Sequence, residues 1–132
     1  MGYRQKKSTK NNPYLKLKER MRLSKEITRK DKKISIKYFD EKIRSTSPFN
    51  LLNYIKRKTR ADLFFLMGAD NLKKFHKWKN WKQIPKLAKI VVFPRKNHSR
   101  KSIAANNLNK KDLIHINSKI INISSSLIRK IW

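Results

Sequence analysis

The sequence predicts an α/β protein with a parallel sheet, and three apolar runs are the main reason. They cover residues 62–67, 89–93 and 112–116. Each run is short and nearly continuous, which is typical of strands that are buried on both faces of a sheet. Segments with helical periodicity separate the runs, and strands that alternate with helices indicate parallel pairing through crossover connections. We therefore expect a layered structure in which helices flank the sheet.

The first half of the chain is predicted to contain a helix, a strand and a second helix. Apolar residues one helical turn apart predict a helix over residues 16–28. Residues 33–38 alternate between polar and apolar side chains, which predicts a short strand. Ser47 followed by Pro48 predicts the next helix start, because serine caps a first turn and proline has no N–H to leave unpaired there.

The segments between and after the three apolar runs complete the predicted order of elements. We expect short helices at 71–75 and 81–87, a turn at 117–121, and a loop that leads into a helix over 123–132. Residues 95–111 are polar and basic, and no element is predicted there. Pro94 directly follows the second run and ends the strand, since proline cannot donate to a sheet ladder.

Length and composition limit the chain to one domain. A chain of 132 residues suffices for a single modest core. Residues 1–13 lack apolar periodicity and are predicted to form a polar, basic arm, which leaves residues 14–132 as the domain. There is no apolar run of about 18 residues, no apolar signal core and no cysteine. These features predict a cytoplasmic protein without membrane contact, disulfides or thiolate metal sites.

The charge is strongly positive, with 36 Lys and Arg against 8 Asp and Glu and a formal net charge of +28. Dense positive charge binds phosphate backbones by releasing counterions, so a small basic nucleic-acid-binding protein is one hypothesis. However, the basic residues are spread over the whole chain, and 26 lysines outnumber 10 arginines. Arginine is the residue suited to bidentate contacts with phosphates and bases. We expect only non-specific binding to nucleic acid, since no recognised motif is present.

A first candidate site follows the first apolar run. Gly68, Ala69 and Asp70 come directly after it, and Gly68 is the only glycine beyond residue 2. Ligands of α/β proteins bind at the carboxyl ends of strands, where small residues allow close approach and a carboxylate accepts hydrogen bonds. Trp78 could stack on a flat ring. The alternatives are an ordinary turn and a tryptophan that packs in the core with Trp81.

A second candidate site lies near the end of the chain. Ser124 and Ser125 precede a predicted helix, and serine hydroxyls with free N–H groups at a helix start favour an anion. Arg129 follows about one turn later, where a guanidinium can contact a phosphate at two points. The alternative is a simple serine cap beside a surface arginine.

Several kinds of site are excluded by spacing or composition. The three histidines, at 76, 98 and 115, lack the spacing of metal ligands, and we expect no zinc site. With two glycines, neither the phosphate-binding P-loop nor the dinucleotide-binding glycine fingerprint is present. We find no pair of carboxylates placed for acid–base hydrolysis.

Taken together, the two candidate sites resemble a known family. Four segments carry the resemblance: residues 65–72 (Phe-Leu-Met-Gly-Ala-Asp-Asn-Leu), Phe75-x-x-Trp78, residues 91–95 (Val-Val-Phe-Pro-Arg) and residues 123–129 (Ile-Ser-Ser-Ser-x-Ile-Arg). In order and spacing these are similar to bacterial nicotinate-nucleotide adenylyltransferase, from about residue 12 to the C-terminus. The resemblance implies a partial Rossmann-like nucleotidyltransferase fold, a parallel sheet with flanking helices.

The resemblance also implies an activity and a set of roles. The family transfers the adenylyl group of ATP to nicotinate mononucleotide, which yields nicotinate adenine dinucleotide and pyrophosphate in NAD biosynthesis. By position, Gly68, Ala69 and Asp70 would approach the bound mononucleotide, and Trp78 would stack on its nicotinate ring. The serines at 124 and 125 and the arginine at 129 would hold the ATP phosphates, with Mg²⁺ bound together with ATP.

One part of the family pattern is absent from the sequence. Family members carry a Gly-Gly-x-Phe-x-Pro-x-His-x-Gly-His segment at the end of their first strand, and no such segment occurs in these 132 residues. We therefore expect the first strands to be missing, no catalytic residue to be identifiable, and the run at 62–67 to form an open sheet edge. The sequence predicts a truncated form with weak or no activity alone, or one whose missing segment comes from a separate chain.

Overall fold

The structure of the chain is a computed structural model that describes residues 15–120. The chain divides into two compact units, Met1–Arg44 and Ser45–Trp132. The predicted arm at 1–13 and the predicted loop and helix at 123–132 lie outside the described residues, and the single domain over 14–132 stays a prediction. Within the described part, no helix is long and apolar enough to cross a membrane.

The first unit contains two helices in its described part, α1 (Leu17–Thr28) and α2 (Asp40–Ile43). The helix predicted at 16–28 is thus confirmed. In its last turn the Thr28 hydroxyl donates a hydrogen bond to the backbone carbonyl of Ser24 at 2.8 Å. Arg22 and Glu26 form an ion pair with an N–O distance of 3.3 Å. Both side chains are exposed, and exposed pairs contribute little to stability.

The prediction of a strand at 33–38 is wrong, because these residues form no strand. The segment starts in a turn in which the Asp31 carboxylate accepts a hydrogen bond from the Lys33 backbone N–H at 2.9 Å. Ile34 remains 50% exposed. A strand requires a neighbour that pairs its backbone groups, and an alternating pattern alone cannot supply that neighbour.

The second unit is built on a three-stranded sheet of β1 (Phe64–Gly68), β2 (Lys89–Phe93) and β3 (Leu113–His115). All pairs are parallel, and the order is β1-β2-β3. The predicted parallel sheet is therefore confirmed, with each strand within two residues of its predicted bounds. In the described sheet β1 pairs only with β2, which agrees with the predicted open edge.

Three α-helices and two 3-10 helices accompany the sheet: α3 (Pro48–Lys58), α4 (Ala69–Lys74), α5 (Ile103–Asn107), Phe75–Lys77 and Trp81–Lys86. Pro48 opens α3 as predicted, but the Ser47 hydroxyl makes no capping hydrogen bond. Instead, the hydroxyl of Ser45 accepts from the Ser47 backbone N–H at 3.1 Å. The sequence prediction missed α5, whose start is capped by the Ser102 hydroxyl accepting from the Ala105 N–H at 2.9 Å.

The core lies on one face of the sheet. It contains apolar side chains from α3, α4, the two 3-10 helices, α5 and the three strands, chiefly Leu52, Met67, Leu72, Phe75, Ile84, Ile90, Val92, Ala104 and Leu113. β2 is buried on both faces as predicted. For β1 that prediction is wrong, since Phe64 is 55% and Leu66 60% exposed. A continuous apolar run does not reveal whether the structure covers its second face.

Candidate functional site

The carboxyl ends of β1 and β2 lie side by side and form one wall of an open cavity. Parallel pairing aligns Gly68 with Phe93, so the residues that follow each strand meet at the same edge of the sheet. The cavity has a volume of about 580 Å³, within the range of about 300–1,000 Å³ that small-molecule sites occupy. Its described lining residues are Leu66, Met67, Gly68, Asn71, Phe93, Pro94, Arg95, Ser118 and Lys119.

Gly68 is required here by close approach and not by its backbone conformation. Its φ is −83°, which any residue adopts, and α4 begins at the very next residue. A Cβ at this position would lie 3.0 Å from Arg95 Nε and would also collide with the Asp70 carboxylate. The absence of a side chain therefore lets the two charged groups converge on the end of β1.

Asp70 and Arg95 form the charged part of the site. Arg95 Nε lies 3.6 Å from Asp70 Oδ1, with the two side chains 46% and 42% exposed. That oxygen is itself buried, and no hydrogen-bond donor among residues 15–120 reaches it. A buried acceptor without a donor is costly. Asp70 is not among the described lining residues of the cavity, so its carboxylate meets a ligand hydroxyl only after the side chain turns toward the cavity. Arg95 thus offers a cation to the cavity, and Asp70 is the acceptor directly beside it.

Arg95 is a residue of the site that was not predicted, although it belongs to a segment that carries the resemblance. It follows Pro94 directly after β2. Its position just beyond a buried strand could have indicated a place in the site, since the carboxyl ends of neighbouring parallel strands lie at the same edge of a sheet. Only the pairing of β2 with β1 shows that this arginine faces Asp70.

The other predicted residues of the first site lie elsewhere. Ala69 is buried and belongs to the hydrophobic core, and it also lines a smaller cavity at the ends of β2 and β3. Trp78 packs edge-to-face on Phe75 at 5.1 Å and on Phe65 at 6.0 Å between ring centroids. This is the core packing that the sequence left open as an alternative, and Trp78 is not among the described lining residues of the cavity. Its contact with a ligand stays a prediction.

The residues of the second predicted site, Ser124, Ser125 and Arg129, lie outside the described residues. Their role as phosphate ligands stays a prediction. The described chain contributes Ser118 and Lys119 to the cavity wall shortly before this motif.

The described histidines differ in environment. His76 Nδ1 is buried without a hydrogen-bond partner among residues 15–120. The pKa of His115 is lowered from its ordinary value, first by burial and then by the charge of Arg100. In residues 15–120 there is no group of three or more His, Cys, Asp or Glu side chains that could hold a metal ion.

The lowered pKa of His115 predicts a loss of stability in weak acid. The unfolded chain binds a proton at this residue near pH 6.5, whereas the folded chain does so only at lower pH. The stability that depends on neutral His115 is complete above the unfolded pKa and is lost as pH falls through the folded one. We expect urea midpoints to fall between about pH 7.5 and about pH 5.5, and to fall less in His115→Gln. An equal fall in both proteins would contradict this assignment.

Comparison with known proteins supports the resemblance. A family model described as cytidylyltransferase-like matches residues 1–131. A protein from Pelagibacter ubique is 41% identical over 131 residues, covering 93% of this chain and 73% of the relative. A protein from Fusobacterium nucleatum is 33% identical over 113 residues, covering 83% of this chain and 58% of the relative. A protein from Clostridium tetani is 35% identical over 83 residues, covering 59% of this chain and 42% of the relative.

All three relatives are named probable nicotinate-nucleotide adenylyltransferase. This is the family that the four motifs resemble, so the resemblance is confirmed, and the nucleic-acid-binding alternative receives no support. The parallel sheet with flanking helices agrees with a partial Rossmann-like nucleotidyltransferase fold. By its sequence match and by its fold, the chain belongs to the cytidylyltransferase-like family of nucleotidyltransferases.

Proposed function

We propose that the chain serves adenylyl transfer from ATP to nicotinate mononucleotide, with nicotinate adenine dinucleotide and pyrophosphate as products. The observation that carries the proposal is the convergence of Gly68, Asp70 and Arg95 at the carboxyl ends of β1 and β2. It supports the proposal because a nucleotide presents both hydroxyls that need an acceptor and phosphates that need a cation. The names of the relatives add the identity of the two substrates.

In the proposed reaction, a phosphate oxygen of the mononucleotide attacks the α-phosphorus of ATP. A new P–O bond forms, the bond to the bridging oxygen breaks, and pyrophosphate leaves with its electron pair. Such transfers depend on alignment and on neutralising charge more than on covalent help from the protein. We assign Asp70 to accept hydrogen bonds from a substrate hydroxyl and Arg95 to balance phosphate charge.

The remaining proposed contacts come from the sequence motifs. Ser124, Ser125 and Arg129 would hold the ATP phosphates, because a serine-rich helix start offers donors to an anion. Trp78 would stack on the nicotinate ring with the part of its indole that the core leaves accessible. Gly68 and Ala69 would contribute their backbone to the mononucleotide side.

Mg²⁺ fits this proposal as a companion of ATP. The ion usually keeps several waters and binds through one or two carboxylates together with substrate phosphates, so that a protein cage of three ligands is not needed. Asp70 is the carboxylate at this edge of the sheet. When bound, the ion would neutralise developing phosphate charge. We also retain the predicted cytoplasmic location as part of the proposal.

The proposal is tested by thermal unfolding of the chain with nicotinate mononucleotide, at low salt and at high salt. A ligand that binds only the folded state raises the midpoint in a saturable way. We expect this rise at both salt concentrations, and we expect Asp70→Asn to lose it. Asp62→Asn is the matched control, because it removes an exposed carboxylate before β1. Stabilisation by any polyanion that disappears with salt, without an effect of the mononucleotide, would overturn the proposal.

Gly68→Ala should separate ligand binding from stability. The new methyl group meets the Asp70 carboxylate and the Nε and Cγ atoms of Arg95. Both side chains are partly exposed and can rotate away, so the free energy of unfolding should change by less than about 1 kcal/mol. The rotated Asp70 and Arg95 no longer converge, and we expect mononucleotide affinity to fall about tenfold. Calorimetric titration together with urea unfolding checks both values. Unchanged affinity would show that the close approach at Gly68 has no role in binding.

A further inference from the structure

A second, smaller cavity lies at the carboxyl ends of β2 and β3. Its volume is about 220 Å³, compared with about 580 Å³ for the cavity beside Gly68. It is below the range of about 300–1,000 Å³ typical of small-molecule sites, so a whole nucleotide is too large for it. A group of the size of one or two phosphates is the kind of ligand that such a volume admits.

The wall of this cavity is unusual in its basic residues. Two arginines, Arg95 and Arg100, and two histidines, His98 and His115, line it. The described lining residues include neither a carboxylate nor a lysine, although the chain has 26 lysines, 10 arginines and 3 histidines. General surface charge would place lysines here most often. Arginine and histidine instead provide directed N–H donors, which suit the oxygens of an anion.

The fold brings these four side chains together from separate segments. Parallel pairing aligns His115 of β3 with Val92 of β2, near the end of each strand. Beyond β2 the chain reverses in a turn, in which the His98 backbone N–H donates to the Arg95 carbonyl at 3.2 Å. Asn97 adopts a φ of 63° within this turn. His98 and Arg100 thereby line the same cavity as His115.

His115 lies in a positively charged environment, because Arg95 and Arg100 line the same cavity. Burial disfavours the charged imidazole of His115, and the positive charge of Arg100 acts in the same direction, so the pKa of His115 is lowered. Arg95 and His98 line the same cavity, and Arg95 also lies 3.6 Å from the Asp70 carboxylate. An anion among these groups would offset their mutual repulsion and favour the protonated imidazole.

We propose that this cavity, lined by Arg95, His98, Arg100 and His115, is a binding site for a phosphate or diphosphate group. The group comes either as a free ion or as the terminal phosphates of a nucleotide whose remainder stays outside. The site shares Arg95 with the proposed adenylyl-transfer site. Its cavity and the side chains of His98, Arg100 and His115 were not used to infer that reaction, so the two proposals can fail separately. Binding there needs no turnover.

The test is an NMR titration of the histidine ring protons of the full 132-residue chain against pH. It is done in about 0.2 M salt, which screens exposed charges. Inorganic phosphate, inorganic diphosphate and ATP are the three probes. We expect saturable binding of diphosphate and a rise in the pKa of His115. If ATP causes the same rise, the site takes nucleotide phosphates; if only the inorganic ions do, it takes the free ion.

Neighbouring residues provide the matched variants. Arg100→Gln removes a positive charge from the cavity wall, and Lys101→Gln removes one from the adjacent residue, which is not among the lining residues. We expect diphosphate affinity to fall about tenfold in the first variant and to change less than about twofold in the second. Without any anion, the pKa of His115 should rise in Arg100→Gln, because one cause of its lowering is removed. A urea midpoint close to that of the unmodified chain shows separately that the variant is folded.

Two results would overturn the proposal. One is a His115 titration that neither inorganic ion nor ATP alters at millimolar concentration. The other is an equal loss of affinity in Arg100→Gln and Lys101→Gln, since that outcome means general attraction to a basic surface. Neither result bears on the Asp70-dependent binding of nicotinate mononucleotide, so failure here is distinguishable from failure of the proposed function.

Discussion

The 132-residue chain, assayed by itself with ATP and nicotinate mononucleotide, is expected to form dinucleotide about 10²–10³-fold more slowly than the Pelagibacter ubique relative. The reason is that the histidine-bearing segment of the family pattern does not occur in these 132 residues. The resemblance implies that those histidines contact the ATP phosphates, and one preorganised donor is typically worth a factor of this size. Release of pyrophosphate under saturating substrates measures the rate.

The control for this assay is Asp70→Asn in the same chain. If the residual activity depends on the proposed site, the variant should lower it further, because the acceptor for a substrate hydroxyl is lost. Turnover within about tenfold of the relative would show that the absent segment is dispensable for catalysis in this chain. Activity that is unchanged in Asp70→Asn would locate the reaction elsewhere.

Phe75→Ala is expected to cause the largest loss of stability, about 3–5 kcal/mol of unfolding free energy. Phe75 is 0% exposed and contacts Trp78 and Trp81 edge-to-face at 5.1 and 6.0 Å. Truncation removes its buried ring and leaves a cavity between α4 and the second 3-10 helix. The free energy of unfolding of a small domain is only about 5–15 kcal/mol in total, so the variant should unfold at much lower urea concentration.

Phe64→Ala is the matched control for that experiment. It removes the same side chain from β1, where the ring is 55% exposed. We expect a change of less than about 1 kcal/mol, since little apolar surface is returned to water. Equal losses in both variants would mean that the exposed face of β1 is covered in solution.

The positions of the strands and of the main helices were predictable because they rest on local patterns. β2 is a buried apolar run ended by Pro94, and α3 starts at Pro48, so each is encoded within a few residues. The strand predicted at 33–38 did not form, because local alternation is not sufficient for a strand. Its alternation is local, but strand pairing is a contact with a distant segment. The start of α5 could have been predicted from Ser102, which caps it. No helix was predicted there because the region is polar and basic.

The candidate site was predictable in part for the same reason. Gly68 and Asp70 could be identified from their place after a buried strand, because a glycine and a carboxylate there have a known use. The role of Trp78 could not be decided, since a tryptophan at helical spacing suits both a ligand and a core, with the core as the more common use. Its contacts with Phe65 and Phe75 depend on how β1 packs against the residues after α4.

The sequence by itself determined the parallel α/β class, the family resemblance and the strand-end location of Gly68 and Asp70. Only the tertiary structure decided that Arg95 faces Asp70, that one face of β1 is exposed, and that His115 shares a cavity with Arg100. The physical reason is the range of the interactions. Periodicity, caps and turns act over a few residues, whereas ion pairs, burial and cavities arise where the sheet register joins distant segments.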